Sequence, residues 1–446
     1  MNRQETHSQA PGPAGAPADG VRRAWRSSNR VPSAYLLWLA LVGCSGCAAI
    51  PLWRATPEVR APDNVVAAAL GDSWRGAIPA VAPAAATLEP PEPTNLRPCC
   101  AFGTDLRVHI GFVPVPGFAL DNMRGLEDVG PHRYDIAPLG SSSSAEPGAL
   151  ADENNGLLYT CRGGFIDLAH VRDCADLTVY LSAKVESLLE TGGVIELAEQ
   201  GGKRRILLEP VDGERIADVG RGQLSVAMAQ WLAFQLSVWH EIASWYGFAA
   251  ISGVPEKMSA FTPEDLYSNM LGIKLAGGII AFRDSGDESD YNTAMNAWMK
   301  VAFRRMHVTT KASAAAAMHG VDGLWWDSTQ RVPDWKLVLR RDFETGPSLK
   351  PWLVPMAFPP ERALAIGCDR AGAPLRLRNP SSFEGVRFDS GATLQVDVDD
   401  AVAAGGFPFP RRKSRRITQA DFPAIIEAIR RENAVEFGPG HDRPFD

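Results

Sequence analysis

The sequence has no apolar run long enough to cross a bilayer. Its best candidate, residues 35–42, holds about eight apolar residues, against the roughly 20 that a spanning helix needs. It also lacks an excess of positive charge. With 45 basic and 52 acidic side chains the formal charge is −7, which does not favour nucleic acid or an anionic lipid surface as the main partner. No G-x-S-x-G elbow, Walker A loop or convincing dinucleotide fingerprint occurs, and no internal repeat is visible. His240-Glu241 matches the first half of a zincin motif, but the second histidine, due four residues after the first, is replaced by Ser244. The motif is broken and supports no zincin assignment.

The apolar run follows a polar segment holding Arg22, Arg23, Arg26 and Arg30, and it ends in Leu41-Val42-Gly43-Cys44. That string resembles a bacterial lipobox. The resemblance implies a signal peptide over residues 1–43, cleavage before Cys44 and lipid attachment to that cysteine. The partner is then a membrane, reached through the lipid on Cys44, with the domain on the periplasmic side of the cell envelope. Ser45 beside the lipidated cysteine inclines this to the outer membrane. Without residues 1–43 the chain keeps 40 basic and 50 acidic side chains, a formal charge of −10. Six further cysteines, Cys47, Cys99, Cys100, Cys161, Cys174 and Cys368, enter a compartment that permits disulfides. Sequence does not choose their pairing.

Residues 44–95 are rich in Ala and Pro and are expected to be a disordered tether. Periodicity begins near Leu96, so residues 96–446 are expected to form one large domain. Residues 109–117 should be extended, because Pro114 and Pro116 exclude a helix interior. Residues 138–156 read as a loop, and 157–165 as strand or turn. A helix capped by Asp167 should run to about 191 and stop at Gly192-Gly193. Others are expected over 223–248, from the capping pattern Thr262-Pro263-Glu264-Asp265 to about 276, over 287–306 and 311–318, and from near Asp421. Residues 335–342 and 392–398 read as strands. The expected fold class is α+β, a helical centre with strands mainly flanking it.

The helix over 223–248 has one formal charge, Glu241, and is apolar most of the way round. Such a helix is buried. Gln230, Ser237, Glu241 and Ser244 make a narrow polar stripe on it, with His240 about 100° from Glu241. On the preceding helix His170 falls within the apolar stripe of Leu177, Leu181, Val185 and Leu188. Asp173 lies to its side, while Arg172, Asp176, Glu186 and Glu190 form the face expected to be solvated. If the two helices pack, His170 and Glu241 meet. This gives a candidate catalytic set of Glu241 as general base, His170 as its partner and Asp173 as the orienting group. The same region offers His170, His240 and Glu241 as ligands for a divalent metal. A structural hydrogen bond between His170 and Glu241 is the third reading.

Weaker candidates are Trp325-Trp326, expected to pack in a core, and a Cys161–His170 pair, for which a disulfide or core cysteine is the simpler account. Asp265 and Asn269 share a helix face and read as an ordinary surface or supporting pair.

Five strings together resemble an uncharacterised bacterial lipoprotein family, catalogued as a domain of unknown function. They are Arg97-Pro98-Cys99-Cys100-Ala101-Phe102-Gly103, Tyr159-Thr160-Cys161-Arg162-Gly163-Gly164-Phe165-Ile166-Asp167, His170-Val171-Arg172-Asp173, His240-Glu241-Ile242-Ala243-Ser244-Trp245-Tyr246-Gly247 and Pro263-Glu264-Asp265-Leu266-Tyr267-Ser268-Asn269. The resemblance implies a lipoprotein with a single large domain and brings no activity, cofactor or substrate. The expected function is a cell-envelope lipoprotein with a buried His/Glu site, a hydrolase if it is an enzyme. The alternative is a non-catalytic lipoprotein acting in binding or assembly.

Overall fold

Where the sequence alternates, the chain pairs into small antiparallel sheets; where it repeats every three to four residues, it forms helices. The computed structural model describes residues 61–71, 90–98, 100–110, 113–136, 153–247, 256–282, 288–354, 366–369, 371–410 and 414–438. In chain order these form α1 (Asp63–Leu70), β1 (Leu106–Ile110), β2 (Val113–Leu120), β3 (Leu157–Thr160), β4 (Gly164–Asp167) and α2 (Leu168–Leu188). Next come β5 (Gly193–Leu197), β6 (Gly202–Leu208), α3 (Gly213–Val219) and the long α4 (Arg221–Trp245). Then follow α5 (Asp265–Phe282), α6 (Glu288–Arg305), α7 (Lys311–Gly320), β7 (Ala392–Val398), β8 (Arg416–Thr418) and α8 (Phe422–Phe437). With 47% helix, 17% strand and several small sheets around a helical core, the domain is α+β, as expected.

Asp167 ends the β3–β4 hairpin and starts α2. Its carboxylate accepts from the Ala169 N–H at 2.7 Å, a cap worth about 1 kcal/mol. Its own N–H donates to Ser268 Oγ on α5 at 3.0 Å, which joins the helix start to its neighbour. Helix α5 is buried nearly all round, and its two charged residues, Asp265 and Lys274, are buried with it. A helix apolar on every side can only be central. Glycines permit the tight packing: a Cβ on Gly272 would lie 1.9 Å from the Val171 carbonyl oxygen of α2. One on Gly277 would lie 1.9 Å from the Gln230 amide of α4.

The largest sheet is antiparallel, in the order β8-β7-β6-β5. Register pairs Ile206 with both Leu394 and Ile195, and Ala392, Leu394, Val396 and Val398 point inward. The β5–β6 turn leans on α4, where the Trp239 indole N–H donates to the Gln200 carbonyl at 2.7 Å. This contact places Gln200 and Arg204 beside His240. A second core gathers Phe102, Tyr159, Phe165, Trp325, Trp326 and Trp352, so the paired tryptophans pack, as expected.

Several expectations are corrected. The signal peptide, Cys44 and most of the expected tether lie outside the described residues, as do Cys47, Cys99 and most of the 138–156 loop. Within the expected tether, however, α1 buries Val65, Val66, Ala68, Ala69 and Leu70, and Asp63 pairs with Arg305. Residues 90–95 are also held: Glu92 accepts from the Ala198 N–H at 2.6 Å, and Asp135 Oδ1 accepts from the N–H groups of Thr94 and Asn95. Residues 335–342 are not a strand. The Asp334 carboxylate accepts from the Lys336 N–H and tightens Trp335–Leu337 into a 3-10 turn, leaving one bridge from Val338 to Trp326. The β5–β6 hairpin had no counterpart among the expected strands. No described helix is long and apolar enough to cross a membrane.

Candidate functional site

Helices α2, α4 and α5 bring His170, His240 and Glu241 together. One ligand atom from each lies within 4.8 Å of the other two. The two imidazole rings stand edge to face, with centroids 6.1 Å apart. Glu241 is buried. Its Oε2 accepts from the Phe261 N–H at 2.9 Å, and the side chains of Asp265 and Asn269 lie against the same carboxyl. Burial pushes its pKa up to about 8, and the Phe261 bond offsets only part of that. Burial, then the charges of His170 and Arg204, hold His240 at about 3, so the ring is neutral at pH 7.

Each histidine has a polar group behind it. Asp265 Oδ1 stands 3.4 Å from His170 Nδ1, and the carboxylate also takes the Thr262 N–H at 2.6 Å and its hydroxyl at 2.7 Å. Burial first and the Glu241 charge second raise the Asp265 pKa well above its usual range. Gln200 Nε2 lies 3.1 Å from His240 Nδ1, its orientation set by Arg204 Nη1, which donates to Gln200 Oε1 at 2.7 Å. Asn269, one turn after Asp265, accepts from the Cys174 thiol at 3.1 Å, and its amide side chain also lies against the Glu241 carboxyl. Burial raises the Cys174 pKa well above the usual thiol value, so this cysteine remains protonated and is a poor nucleophile.

His170 and His240 border a cavity of about 360 Å³, whose lining also includes Asp173, Cys174, Arg204 and Asn269 but not Glu241. Residues 93–96 close one side. They are anchored by Arg97, whose guanidinium reaches Glu153 (2.7 Å), Asp173 (2.7 Å) and Asp176 (3.0 Å). Burial alone would raise Glu153, but Arg97 overrules it and holds the carboxylate at about 2. Asp176 further meets His132 Nε2 at 3.0 Å and the Tyr291 hydroxyl at 3.1 Å.

The structure thus joins His170, His240 and Glu241, and it changes the part of Asp173. That carboxylate borders the cavity, but it is held by the backbone N–H and guanidinium of Arg97, and Asp265 stands at His170 instead. Arg172 and Asp176, expected on a solvated face, are fully buried because residues 90–97 and 129–136 cover that side of α2. Cys161 forms a disulfide with Cys368 and is no nucleophile for His170. Asp265 and Asn269, read as an ordinary pair, are buried at the site. The signal available for them was the wholly apolar character of α5, in which any polar side chain must find a partner. Gln200 and Arg204 carried no such signal.

A family model described as "Protein of unknown function (DUF4056)" matches residues 86–355, a span that takes in every site residue named above, and the chain belongs to that family. No curated protein and no solved structure matches the chain.

Proposed function

Since membership of this family brings no reaction with it, we propose from the site itself that the protein is a metal-dependent hydrolase of an acyl bond, with His170, His240 and Glu241 holding one divalent cation. The observation that carries this reading is the convergence of one ligand atom from each of these three residues within 4.8 Å of one another. Burial holds this carboxyl protonated at neutral pH, and a cation bound beside it would favour the ionised form. Two histidines and one glutamate form a known ligand set for catalytic zinc, with a further position left for water. Asp265 behind His170 supplies the supporting carboxylate that ligating histidines usually have. At His240, ligation through Nε2 would put the ring proton on Nδ1, and the Gln200 amide would have to exchange its bond from Arg204 for one from that proton.

A bound cation would lower the pKa of water and polarise a carbonyl. The water oxygen bonds to the carbonyl carbon, the C–N or C–O bond breaks, and the leaving amine or alcohol takes the proton released by water. Asn269 lines the same cavity, and its amide would supply a donor to the oxygen on which negative charge develops. Lipidation at Cys44 would place this chemistry on the envelope side of a membrane, where water is the available co-substrate.

The test is metal analysis of the purified domain together with zinc titration by calorimetry. Wild type should bind close to one equivalent, and His170→Ala and Glu241→Gln should each weaken binding at least 100-fold while remaining folded. Stoichiometric binding that survives both substitutions refutes the ligand set. No binding of zinc, manganese or cobalt refutes the metal reading and leaves the cavity to the non-catalytic alternative.

A further inference from the structure

Arg204 is the cation of the cavity wall. It is partly buried on β6, and two of its donors are taken by neutral oxygens: Nε donates to the Ala198 carbonyl at 2.9 Å and Nη1 to Gln200 Oε1 at 2.7 Å. Among the described residues no carboxylate forms an ion pair with it. The carboxylate whose charge it feels, Glu92, is engaged by the Ala198 N–H. The guanidinium is linked to His240 through one side chain, Gln200, and its charge contributes to keeping that ring neutral.

The other charges facing the cavity are accounted for. Asp173 is paired with Arg97. Glu199 is largely exposed and faces Lys203 at 4.0 Å on the solvent side. His170 and His240 belong to the proposed ligand set. Leu96, Leu177 and Leu236 supply apolar wall between these groups.

We propose that Arg204 is the specificity-determining residue of the site and selects substrates bearing a carboxylate a few bonds from the acyl carbon. This rests on the hydrolase reading above and names its substrate class: a small amide or ester with an anionic end, of a size that fills about 360 Å³. The planar fork of arginine suits a carboxylate, and a charge-assisted bond shielded from bulk water is among the stronger polar contacts. Although burial draws its pKa down to about 10, the side chain remains charged at neutral pH.

The test uses a matched pair of metal-chelating probes on the zinc-loaded protein. Butyrohydroxamate and succinic monohydroxamate have the same four-carbon chain, ending in a methyl group in one and a carboxylate in the other. Wild type should bind the succinic compound at least tenfold more tightly. Arg204→Met should bring the two within twofold; because Arg204 also holds Gln200 behind His240, the comparison is made at saturating zinc, and circular dichroism shows that the variant is folded. Arg204→Lys, which keeps the charge, should retain a preference. Equal affinities in wild type, or an undiminished preference in Arg204→Met, overturn the proposal while leaving the metal reading intact. Should zinc not bind at all, the metal reading has failed, and succinamate against butyramide on the protein without added metal decides the anion question. Stabilisation by succinamate alone, lost in Arg204→Met, supports the role of Arg204; equal effects overturn it.

Discussion

Glu241→Gln should stabilise the metal-free protein at alkaline pH and abolish its response to zinc. The wild-type carboxyl ordinarily titrates at 4.5 and is raised to about 8 in the fold. Below pH 4.5 it is protonated in both folded and unfolded chains and costs nothing. Between pH 4.5 and 8 the unfolded chain releases this proton and the folded one retains it, so folding stability falls as pH rises. At about 1.4 kcal/mol per pH unit, the loss is about 3 kcal/mol at pH 7 and on the order of 4–5 kcal/mol above pH 8. Glutamine keeps an oxygen for the Phe261 N–H and does not ionise. Other buried carboxyls, Asp265 and Glu264 among them, are also raised, so the quantity to read is the difference between the two proteins. Urea unfolding of chelator-treated samples at pH 5, 7 and 9 measures it. The variant should match wild type at pH 5 and exceed it increasingly toward pH 9. Zinc at 100 times its dissociation constant should then stabilise wild type by about 3 kcal/mol and the variant not at all. A difference that does not grow with pH, or a wild type more stable at pH 9, would refute the claim that Glu241 is a buried carboxylate awaiting a cation.

Three further outcomes follow from contacts around the site. Gln200→Glu places an obligate acceptor behind His240 Nδ1 and keeps the bridge to Arg204, so zinc affinity should rise, by roughly tenfold on the usual scale of supporting-ligand effects; calorimetry reads it, and weaker binding would show that His240 is not a ligand through Nε2. Gly272→Ala forces a Cβ against the Val171 carbonyl, one residue from His170, and should cost about 1–3 kcal/mol in chemical unfolding while weakening zinc binding through the displaced helix. Reducing Cys161–Cys368, which closes a loop across 207 residues, should destabilise by about 2–5 kcal/mol. Zinc affinity should be unchanged, because the disulfide lies at a separate pocket with His307 and Ser313.

How far the sequence led is clearest on α4. One glutamate in an otherwise uncharged, mainly apolar helix could only be buried, and it is. An inward histidine on α2 could be read the same way, and the two do converge. Periodicity reports which way a side chain faces relative to its own helix, and that sufficed for His170 and Glu241. It failed for Asp173, Arg172 and Asp176, because a face is solvated only if nothing else covers it. Here residues 90–97 and 129–136 do so, from segments with no periodicity to announce them. It failed likewise for Cys161, whose partner lies 207 residues away.

The sequence by itself determined the longer helices, the Asp167 cap and the burial of a histidine and a glutamate, since these depend on local hydrogen bonding and on apolar spacing within one element, but it missed the short α1 and α3. His240 was already a candidate ligand beside them; only the tertiary structure decided that Asp265 rather than Asp173 stands at His170, and that Gln200 and Arg204 face the cavity. Those placements depend on the angle at which α2, α4 and α5 cross and on where the β5–β6 turn meets α4. Both are set by close contacts between distant segments, Gly272 on Val171 and Trp239 on Gln200, to which no local pattern in the chain corresponds.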